Sequence, residues 1–473
     1  MRRCLTILLV LAAGAGISHA LPAQDSGTMI TVYNQNLALV RQVRSIPVEK
    51  GDFSYRFVDV AAKIDPTSVS LEALSGPPLT ILEQNYAYDL INSEKVLQKS
   101  IGLPITFFEK DNTGEKRFEG TLLAVSGGRP VIRTKEGIYI GTPSRFLLPK
   151  LPPGLIMKPT LLWMLRGRER GTEKAALSYL TGGMNWKANY VLSLAPGDRK
   201  VNLTGWVTVD NQCGVTFQDA RLKLLAGDVH RAAERRPPMR LMTKAMAESA
   251  PQFKEHALFE YHLYTLQRPT TLQNNETKQI ELVSAPDVPV KKVYIYDGAN
   301  MLGRSSYYYG SRSSRDLGVP SNTKVDVRLE FKNNKASHLG IPLPAGTVRV
   351  FKNDTDGTAQ FIGEDSIDHT PKDEMVRIKL GEAFDIVGQR KETSFHVVSY
   401  GHVYDDSFEI TLRNHKDEAV EVRVAEVLYR WSNWKIIAKS DPYQKVDAQT
   451  IVFPVKVPAN GEKKVTYTVQ YSW

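Results

Sequence analysis

The sequence predicts an all-β protein built of antiparallel β-sandwich domains, with a small N-terminal β region and few short helices. Apolar and polar residues alternate in many short segments, which is the period of a strand with one buried face. Turn-forming residues such as Asn333-Asn334 and Ala459-Asn460-Gly461 separate these segments. No long amphipathic helical pattern lies between them. Short strands spaced this closely are typical of antiparallel sandwiches.

The first twenty residues predict export. Two arginines precede an apolar run from Leu5 to Ile17, and Ser18 and Ala20 are small residues at the positions that a signal peptidase reads. The run is too short for a permanent membrane anchor. We therefore expect a signal peptide over residues 1–20 and a mature chain that starts at Leu21. Such a chain is exported, periplasmic or extracellular, and association with the outer membrane is left open.

Composition indicates an ordinary globular chain. Of the 473 residues, 42% are hydrophobic and 24% are charged. The formal net charge of +10 favours anionic partners only weakly. After the leader, no apolar segment reaches the length of a membrane span, because Lys158 and Pro159 interrupt the candidate from Leu155 to Leu165. We therefore expect no transmembrane helix in the mature chain.

Residues 21–100 are expected to form an N-terminal β-rich region. Segments from Ile30 to Tyr33 and from Ala38 to Ile46 can pair as opening strands, and Phe53 to Val58 adds another. Residues 89–99 have weak helical character. The region is thus predicted to be mostly strand, with one short helix near its end.

Residues 101–160 are expected to form a small β-barrel-like segment and a linker. Several short strands fall between Ile105 and Ile140, and prolines recur from Pro143 to Pro159. Residues 161–290 are assigned to a first β-sandwich part and residues 291–473 to a C-terminal Ig-like β-sandwich. The alternating segments of this last domain are Val325–Phe331, Phe408–Leu412, Val420–Val424, Ile451–Val457 and Val465–Tyr471.

A set of motifs in the second half of the chain resembles a known family. The motifs are SYLTGGMNWKANY at 178–190, GWVTV at 205–209, FQDA at 217–220, AGDV at 226–229, FEYHLY at 259–264 and PANG at 458–461. Over roughly residues 175–473 the chain is similar to the bacterial family called domain of unknown function 4139. It is more distantly similar to mucoidy-inhibitor-A-like proteins, whose usual coiled coil it lacks. The resemblance implies a β-rich envelope protein and brings no catalytic residues.

Large aromatic residues in these motifs are expected in the core. Trp186, Tyr190 and Trp206 stand among glycines, as in strands that pack across a sandwich. An exposed platform for sugar rings is the alternative. Trp431 and Trp434 flank a bend at Ser432-Asn433, so we expect one of them to be exposed and treat the pair as a candidate binding surface.

Cys213 is the only cysteine of the predicted mature chain, because Cys4 lies in the leader. An internal disulfide is therefore excluded. We expect Cys213 to be a buried, small apolar side chain, and the alternative is a reactive thiol.

The strongest catalytic motif is Asp354-Thr355-Asp356-Gly357-Thr358, which matches the nucleophile motif of haloacid-dehalogenase-type phosphatases. Alternating segments flank it, and Asp-Gly is a strong hairpin signal, so we expect a turn. A calcium loop would need carboxylates where Lys352 and Gly363 stand.

Other motifs also fail in their context. Ser432 and Lys435 fit the S-x-x-K motif of penicillin-recognising enzymes, but the partner motifs are missing. The histidine pairs 256/262 and 396/402 are six residues apart and are interpreted as exposed or core histidines rather than metal ligands. We predict no catalytic residues, no cofactor and no metal site.

A basic segment is the best binding candidate by composition. Its residues Arg231, Arg235, Arg236 and Arg240 fall in a predicted excursion and could hold an anionic surface through salt-sensitive contacts. A merely solvated loop is the alternative.

These features predict an exported envelope protein that acts by binding or scaffolding rather than by catalysis. Its partner is left open among an envelope protein, a polysaccharide and an anionic surface, and nucleic acid is disfavoured by the export signal. One alternative is a secreted hydrolase whose site is assembled from distant residues. Another is an outer-membrane β-barrel, because the last strand alternates from Val465 to the terminal Trp473. In such a barrel, similar alternating segments of about ten residues should fill the chain, and they do not fill this sequence.

Overall fold

The computed structural model describes residues 27–87, 91–111, 114–227, 252–300, 302, 315 and 321–472. Strand accounts for 66% of the structure and helix for 3%, which confirms the predicted all-β fold class. None of the helices in the described ranges has the length and hydropathy that a membrane span needs. The division into domains stays a prediction.

The strands up to residue 296 are β1 Thr28–Tyr33, β2 Ala38–Val48, β3 Gly51–Val58, β4 Ser70–Ser75, β5 Leu79–Ala87, β6 Pro104–Asp111, β7 Gly114–Ser126, β8 Arg129–Thr134, β9 Ile138–Ile140, β10 Arg145–Leu147, β11 Thr160–Gly167, β12 Gly171–Thr181, β13 Met184–Leu194, β14 Lys200–Asn211, β15 Phe217–Ala226, β16 Phe253–Leu258, β17 Tyr261–Leu266, β18 Thr270–Leu272, β19 Glu276–Pro289 and β20 Lys291–Tyr296. The later strands are β21 Val325–Lys332, β22 Gly346–Asn353, β23 Ala359–Ile367, β24 Met375–Glu382, β25 Ile386–Ser399, β26 Val403–Asn414, β27 Val420–Val427, β28 Trp434–Lys439, β29 Gln444–Lys445, β30 Thr450–Val457 and β31 Gly461–Ser472.

The helix α1, Ser93–Lys99, lies between β5 and β6. Its N-cap is Asn92, whose side chain accepts a hydrogen bond from the Lys95 N–H at 2.8 Å. Two 3-10 turns cover Pro66–Ser68 and Lys335–Ser337. The helical character predicted for residues 89–99 is thus confirmed over the C-terminal part of that segment.

The opening strands lie in the middle of an eight-stranded sheet rather than at its edge. The order is β16-β17-β15-β1-β2-β12-β4, with β18 paired to β15. Strand β1 runs parallel to β15 and antiparallel to β2, and β2 runs antiparallel to β12. The apolar side chains of Ile30, Val32 and Val40 on these two strands are fully buried. These two strands therefore join segments that are distant in sequence.

A second sheet faces the same core, in the order β19-β14-β13-β22-β23. Its inward residues and those of the first sheet form one hydrophobic cluster, which includes Trp186, Tyr190 and Trp163. Tyr190 lies opposite Gly205 on the neighbouring strand. A Cβ at Gly205 would lie 3.1 Å from the Tyr190 ring and 2.8 Å from Val283 Cγ1, so the missing side chain makes room for the aromatic ring.

Residues 104–147 form a separate five-stranded sheet, in the order β10-β6-β7-β8-β9. Its own small core consists of Ile105, Phe107, Leu122 and Ile132. The chain leaves the main body through β5 and returns through β11, and these two strands pair with each other.

The C-terminal sandwich packs the sheet β24-β21-β20-β27-β30-β29 on the sheet β25-β26-β31-β28. The inward side chains of β31 are Val465, Tyr467, Val469 and Tyr471, and each is at most 2% exposed. The predicted inward face of this strand is confirmed for these four residues, whereas Trp473 lies outside the described residues.

Candidate functional site

A groove of about 730 Å³ opens where β1 begins. The pairing register places Thr28 opposite Gln42 and Met29 opposite Arg221. Strand β2 continues to Val48 and β15 begins before Arg221, so both neighbours extend past the start of β1. Residues of both flanking strands, among them Arg44 of β2 and Phe217 of β15, line the groove.

Two polar side chains of β2 line this groove, Gln42 and Arg44. Every second residue of a strand shares a face, and the other members of this face, Val40, Ile46 and Val48, are at most 3% exposed. Polar residues thus interrupt an otherwise apolar inward stripe. This interruption marks the position as unusual for a strand that only builds a core.

Gln42 is buried, with 7% of its surface exposed, and its Oε1 atom has no hydrogen-bond partner among the described residues. A buried acceptor left without a donor costs about 1–3 kcal/mol. Twelve side-chain atoms of the described residues are buried in this way, and Gln42 Oε1 is the one that belongs to a residue of the groove.

Arg44 is exposed, and its guanidinium carbon lies 5.1 Å from the centre of the Phe57 ring. Contact with the ring holds the cation beside the groove. Within the part of the chain that the structure describes, no carboxylate forms an ion pair with Arg44. Its charge is therefore available to a ligand.

The opposite wall comes from the proline-rich linker. Lys158 Nζ lies 2.7 Å from Asp59 Oδ2, and the Asp59 N–H donates to the Pro159 carbonyl at 3.1 Å. Met157, which is 87% exposed, forms the rim. Since Lys158 and Asp59 neutralise each other, Arg44 gives the charged side chains of the groove an excess of one positive charge.

A rigid loop before β15 forms the third wall. The Gly214 N–H donates to Asn274 Oδ1 at 2.9 Å, and the Asn274 N–H donates to Thr216 Oγ1 at 3.0 Å. Gly214 has a φ of +93°, and a Cβ there would lie 2.4 Å from Ala62 Cβ. Glycine is therefore required at this position. The wall is fixed by the protein's own contacts.

The structure describes only part of the candidate binding surface that the sequence predicts. Arg231, Arg235, Arg236 and Arg240 lie outside the described residues. Trp431 and Trp434 belong to the C-terminal sandwich and not to the groove.

The expectation that one tryptophan of the pair is exposed is wrong. Both are half-buried, because both pack against the C-terminal core. The Trp434 indole N–H donates to the Ala448 carbonyl at 2.8 Å, and Lys445 Nζ lies 4.7 Å from its ring centre. These contacts involve the indole N–H and one face of the ring, and a binding role for the pair stays a prediction.

The predicted core residues are largely confirmed. Trp186 is 2% exposed and Tyr190 is 1% exposed, whereas Trp206 is half-buried. Cys213 is fully buried and unpaired, as predicted. Burial raises the pKa of its thiol to about 11, so the thiolate is scarce at neutral pH.

The phosphatase-like motif is a hairpin turn between β22 and β23, as predicted. The Gly357 N–H donates to the Asp354 carbonyl at 3.0 Å, and the Asp356 carboxylate accepts from the Thr358 N–H at 2.8 Å. Both aspartates are exposed. Their carboxylates stabilise the turn itself.

The histidine pairs lie on strands or in turns. His262 Nδ1 lies 2.7 Å from Glu255 Oε1 across the β16–β17 hairpin. His396 lies opposite Asp405 on β26. Among the residues that the structure describes, no three His, Cys, Asp or Glu side chains are placed to hold a metal ion.

A second polar cluster is sealed inside the C-terminal sandwich. Arg390 pairs with Glu426 at 2.9 Å, and Arg430 pairs with Asp406, all with fully buried side chains. The Tyr467 hydroxyl donates to Glu426 Oε2 at 2.6 Å. Neither this cluster nor Gln42 was predicted from the sequence. Polar residues at inward positions of alternating strands are the signal that the two share.

Comparison with known proteins gives a family. The family model described as Domain of unknown function (DUF4139) matches residues 175–473. No curated protein matches the chain significantly. Since the matched residues make up more than half of the sequence, the chain belongs to the DUF4139 family.

Proposed function

We propose that this protein is an exported binding protein of the cell envelope, and that the groove beside Gln42 and Arg44 is its ligand site. The observation that carries the proposal is the exposed Arg44 guanidinium, which lines the groove without a carboxylate partner among the described residues. The volume of the groove is within the range of small-molecule and peptide sites. Export is supported by the leader-like first twenty residues.

The chemistry of the groove favours recognition. An amide, a guanidinium and a paired lysine and aspartate supply hydrogen bonds and charge at fixed positions. The Arg390–Glu426 and Arg430–Asp406 pairs, in contrast, have no exposed side-chain surface, so a ligand cannot reach them. We therefore place binding at the groove and not at the buried charges.

Site-directed photo-crosslinking in the native cells tests this function. A photoreactive residue is introduced at Met157 on the groove rim, and a matched one at Phe384, which is 96% exposed between β24 and β25 and does not line the groove. We expect adducts from position 157 and none from position 384. The adducts should disappear when Arg44→Ser is added.

Two results would overturn the proposal. One is equal crosslinking at both positions, and the other is crosslinking at position 157 that Arg44→Ser does not change. N-terminal sequencing of the exported protein separately tests the leader, because a retained Met1 would contradict cleavage after Ala20.

A further inference from the structure

We infer that the outer face of the second sheet, the side of β19-β14-β13-β22-β23 that points away from the shared core, binds a neutral, extended glycan that stacks on Trp206. This site is separate from the groove, because Trp206 and its neighbours on this face do not line the groove. The alternation of β14, the indole N–H of Trp206 and the polar side chains around it support this assignment.

Strand β14 presents Trp206 on the outer face. Leu203 and Val207, which point inward, are at most 2% exposed, whereas Trp206 is only half-buried. The residues opposite Trp206 on the two neighbouring strands are Asn189 of β13 and Glu281 of β19, and both are also half-buried. Trp206 therefore lies on the outer face with a strand on each side of it.

The indole N–H of Trp206 is available to a ligand. The indole N–H groups of three other tryptophans donate to acceptors of the protein, namely those of Trp163, Trp186 and Trp434. Over the described ranges, the indole of Trp206 forms no such bond, and its nitrogen is not among the buried atoms that lack a partner. Because a buried tryptophan N–H usually finds a partner, the Trp206 nitrogen is at the solvent side, where a ligand hydroxyl can accept from it.

Uncharged polar side chains lie beside Trp206. The Thr208 hydroxyl accepts from Asn189 Nδ2 at 2.9 Å and from Gln279 Nε2 at 3.3 Å, which fixes the position of both amides. Besides these bonds, each amide has a second N–H and an oxygen. Thr347 of β22 lies opposite Asn189 on the same face. Amides and hydroxyls both donate and accept, as the hydroxyls of a sugar require.

The charges of the outer face fit a neutral ligand. Near Trp206 they are of both signs, with Lys187 on β13, Asp210 on β14 and Glu281 on β19. Farther along the face, Arg349 Nε lies 3.1 Å from Glu364 Oε2. A charged polymer is attracted by a surface of one sign, and these side chains do not form one.

The polarity of the face also selects among neutral partners. A protein or lipid partner is expected to cover a contiguous apolar patch, but the side chains opposite Trp206 are polar. A β-1,4-linked glucan is a flat ribbon whose ring faces carry C–H groups and whose edges carry hydroxyls. One ring can therefore stack on the indole while its edge hydroxyls reach the amides. An α-1,4-linked chain of the same sugar is curved and does not follow a sheet.

Calorimetric titration of the full mature chain tests the inference. The probe is cellohexaose, and its matched control is maltohexaose, which has the same six glucose units in α-1,4 linkage. We expect cellohexaose to bind about tenfold more tightly than maltohexaose, as expected if one stacked ring is lost. Added salt should leave the affinity for cellohexaose unchanged, because the ligand carries no charge.

Four variants locate the binding. Trp206→Ala should weaken cellohexaose about tenfold, and Trp206→Phe, which keeps an aromatic ring, should lose less. Gln279→Ala removes one amide and should weaken binding about threefold. Phe384→Ala removes an exposed aromatic side chain between β24 and β25 and should leave the affinity unchanged. Circular dichroism establishes that each variant keeps the fold.

Several outcomes would overturn the inference. They are no binding of cellohexaose, equal affinity for the two hexasaccharides, preferential binding of the anionic polymer polygalacturonate, and unchanged affinity of a folded Trp206→Ala variant. Arg44-dependent crosslinking at position 157 should persist in Trp206→Ala, because the groove is a separate site. Failure of cellohexaose with that crosslinking intact would reject the glycan site and leave the groove in place.

Discussion

Inward-facing polar residues distinguish the two unusual sites of this protein. Gln42 interrupts the apolar stripe of β2, and Arg390 interrupts that of β25, where Ile386 is buried on the same face. The first opens to solvent and the second is sealed. Inward-facing polar residues therefore line an open groove in one place and form an internal ion pair in the other.

Removing one charge of the buried Arg390–Glu426 pair should destabilise the protein far more than removing both charges. Arg390→Met leaves the Glu426 carboxylate buried without its cation, and we expect the free energy of unfolding to fall by about 3–5 kcal/mol. Adding Glu426→Gln removes the charge but keeps an acceptor for the Tyr467 hydroxyl. The double variant should regain most of the loss. Equilibrium unfolding in urea measures both changes.

The exposed ion pair of Arg117 and Glu119 provides the control for the variants at positions 390 and 426. Arg117→Met should change the free energy of unfolding by less than about 1 kcal/mol, because exposed ion pairs contribute little. A double variant at positions 390 and 426 that is less stable than Arg390→Met alone would show that the pair itself, and not the isolated charge, governs stability.

Individual elements were largely predictable, whereas their pairing was not. The alternating segments at 420–424 and 451–457 lie within β27 and β30, because alternation reports directly which residues face the core. The position of β1 and β2 between β12 and β15 has no such local signal. Two strands with one apolar face each can pair with any similar strand, so the partners depend on the whole fold. The groove arises from that pairing and was therefore missed.

A turn between strands contains the clearest electrostatic link between elements. Asp198, which follows β13, accepts hydrogen bonds from Lys292 of β20 at 2.5 Å and from Lys352 of β22 at 2.6 Å. Desolvation opposes ionisation of this carboxyl, but the two lysines together outweigh it and lower its pKa below the ordinary value of 3.8. The ionised aspartate thus links β22 of the second sheet to β20 of the C-terminal sandwich.

The stabilisation from Asp198 should depend on pH. Because the pKa is lower in the folded state, the stabilisation is present above pH 3.8 and is lost as the pH falls through the folded-state pKa. Asp198→Asn should lower the free energy of unfolding at pH 7 by about 1–2 kcal/mol. Urea unfolding at pH 7 and below pH 3 measures the difference between variant and parent. A difference that persists undiminished in acid would contradict the electrostatic origin.

At the scale of the whole molecule, the matched family region and the folded unit have different limits. The family match begins at residue 175, inside β12, whereas β1 and β2 lie between β12 and β15 of the same sheet. Their side chains Ile30, Val32, Val40 and Ile46 belong to the core that also contains Trp186. The fold of the region that carries the family motifs thus depends on residues that precede it.

A chain limited to residues 175–473 should therefore fail to fold cooperatively. It lacks two central strands of the first sheet, which exposes the edges of β12 and β15 and opens the shared core to water. We expect aggregation or a broad, non-cooperative thermal transition by circular dichroism. Co-expression with residues 21–174 should restore a soluble complex, since the missing strands can then pair.

Removal of the small five-stranded sheet, residues 104–147, provides a control deletion outside the shared core. Residues 104–147 have their own core, and β6 and β10, which begin and end this segment, are paired, with Thr106 opposite Leu147. The two ends of the deletion are therefore close, and a short glycine linker can join them. This variant should unfold cooperatively, because the main core keeps all its strands. If residues 175–473 alone unfolded as cooperatively as the full mature chain, the opening strands would be an accessory to the sheet and not part of its structural core.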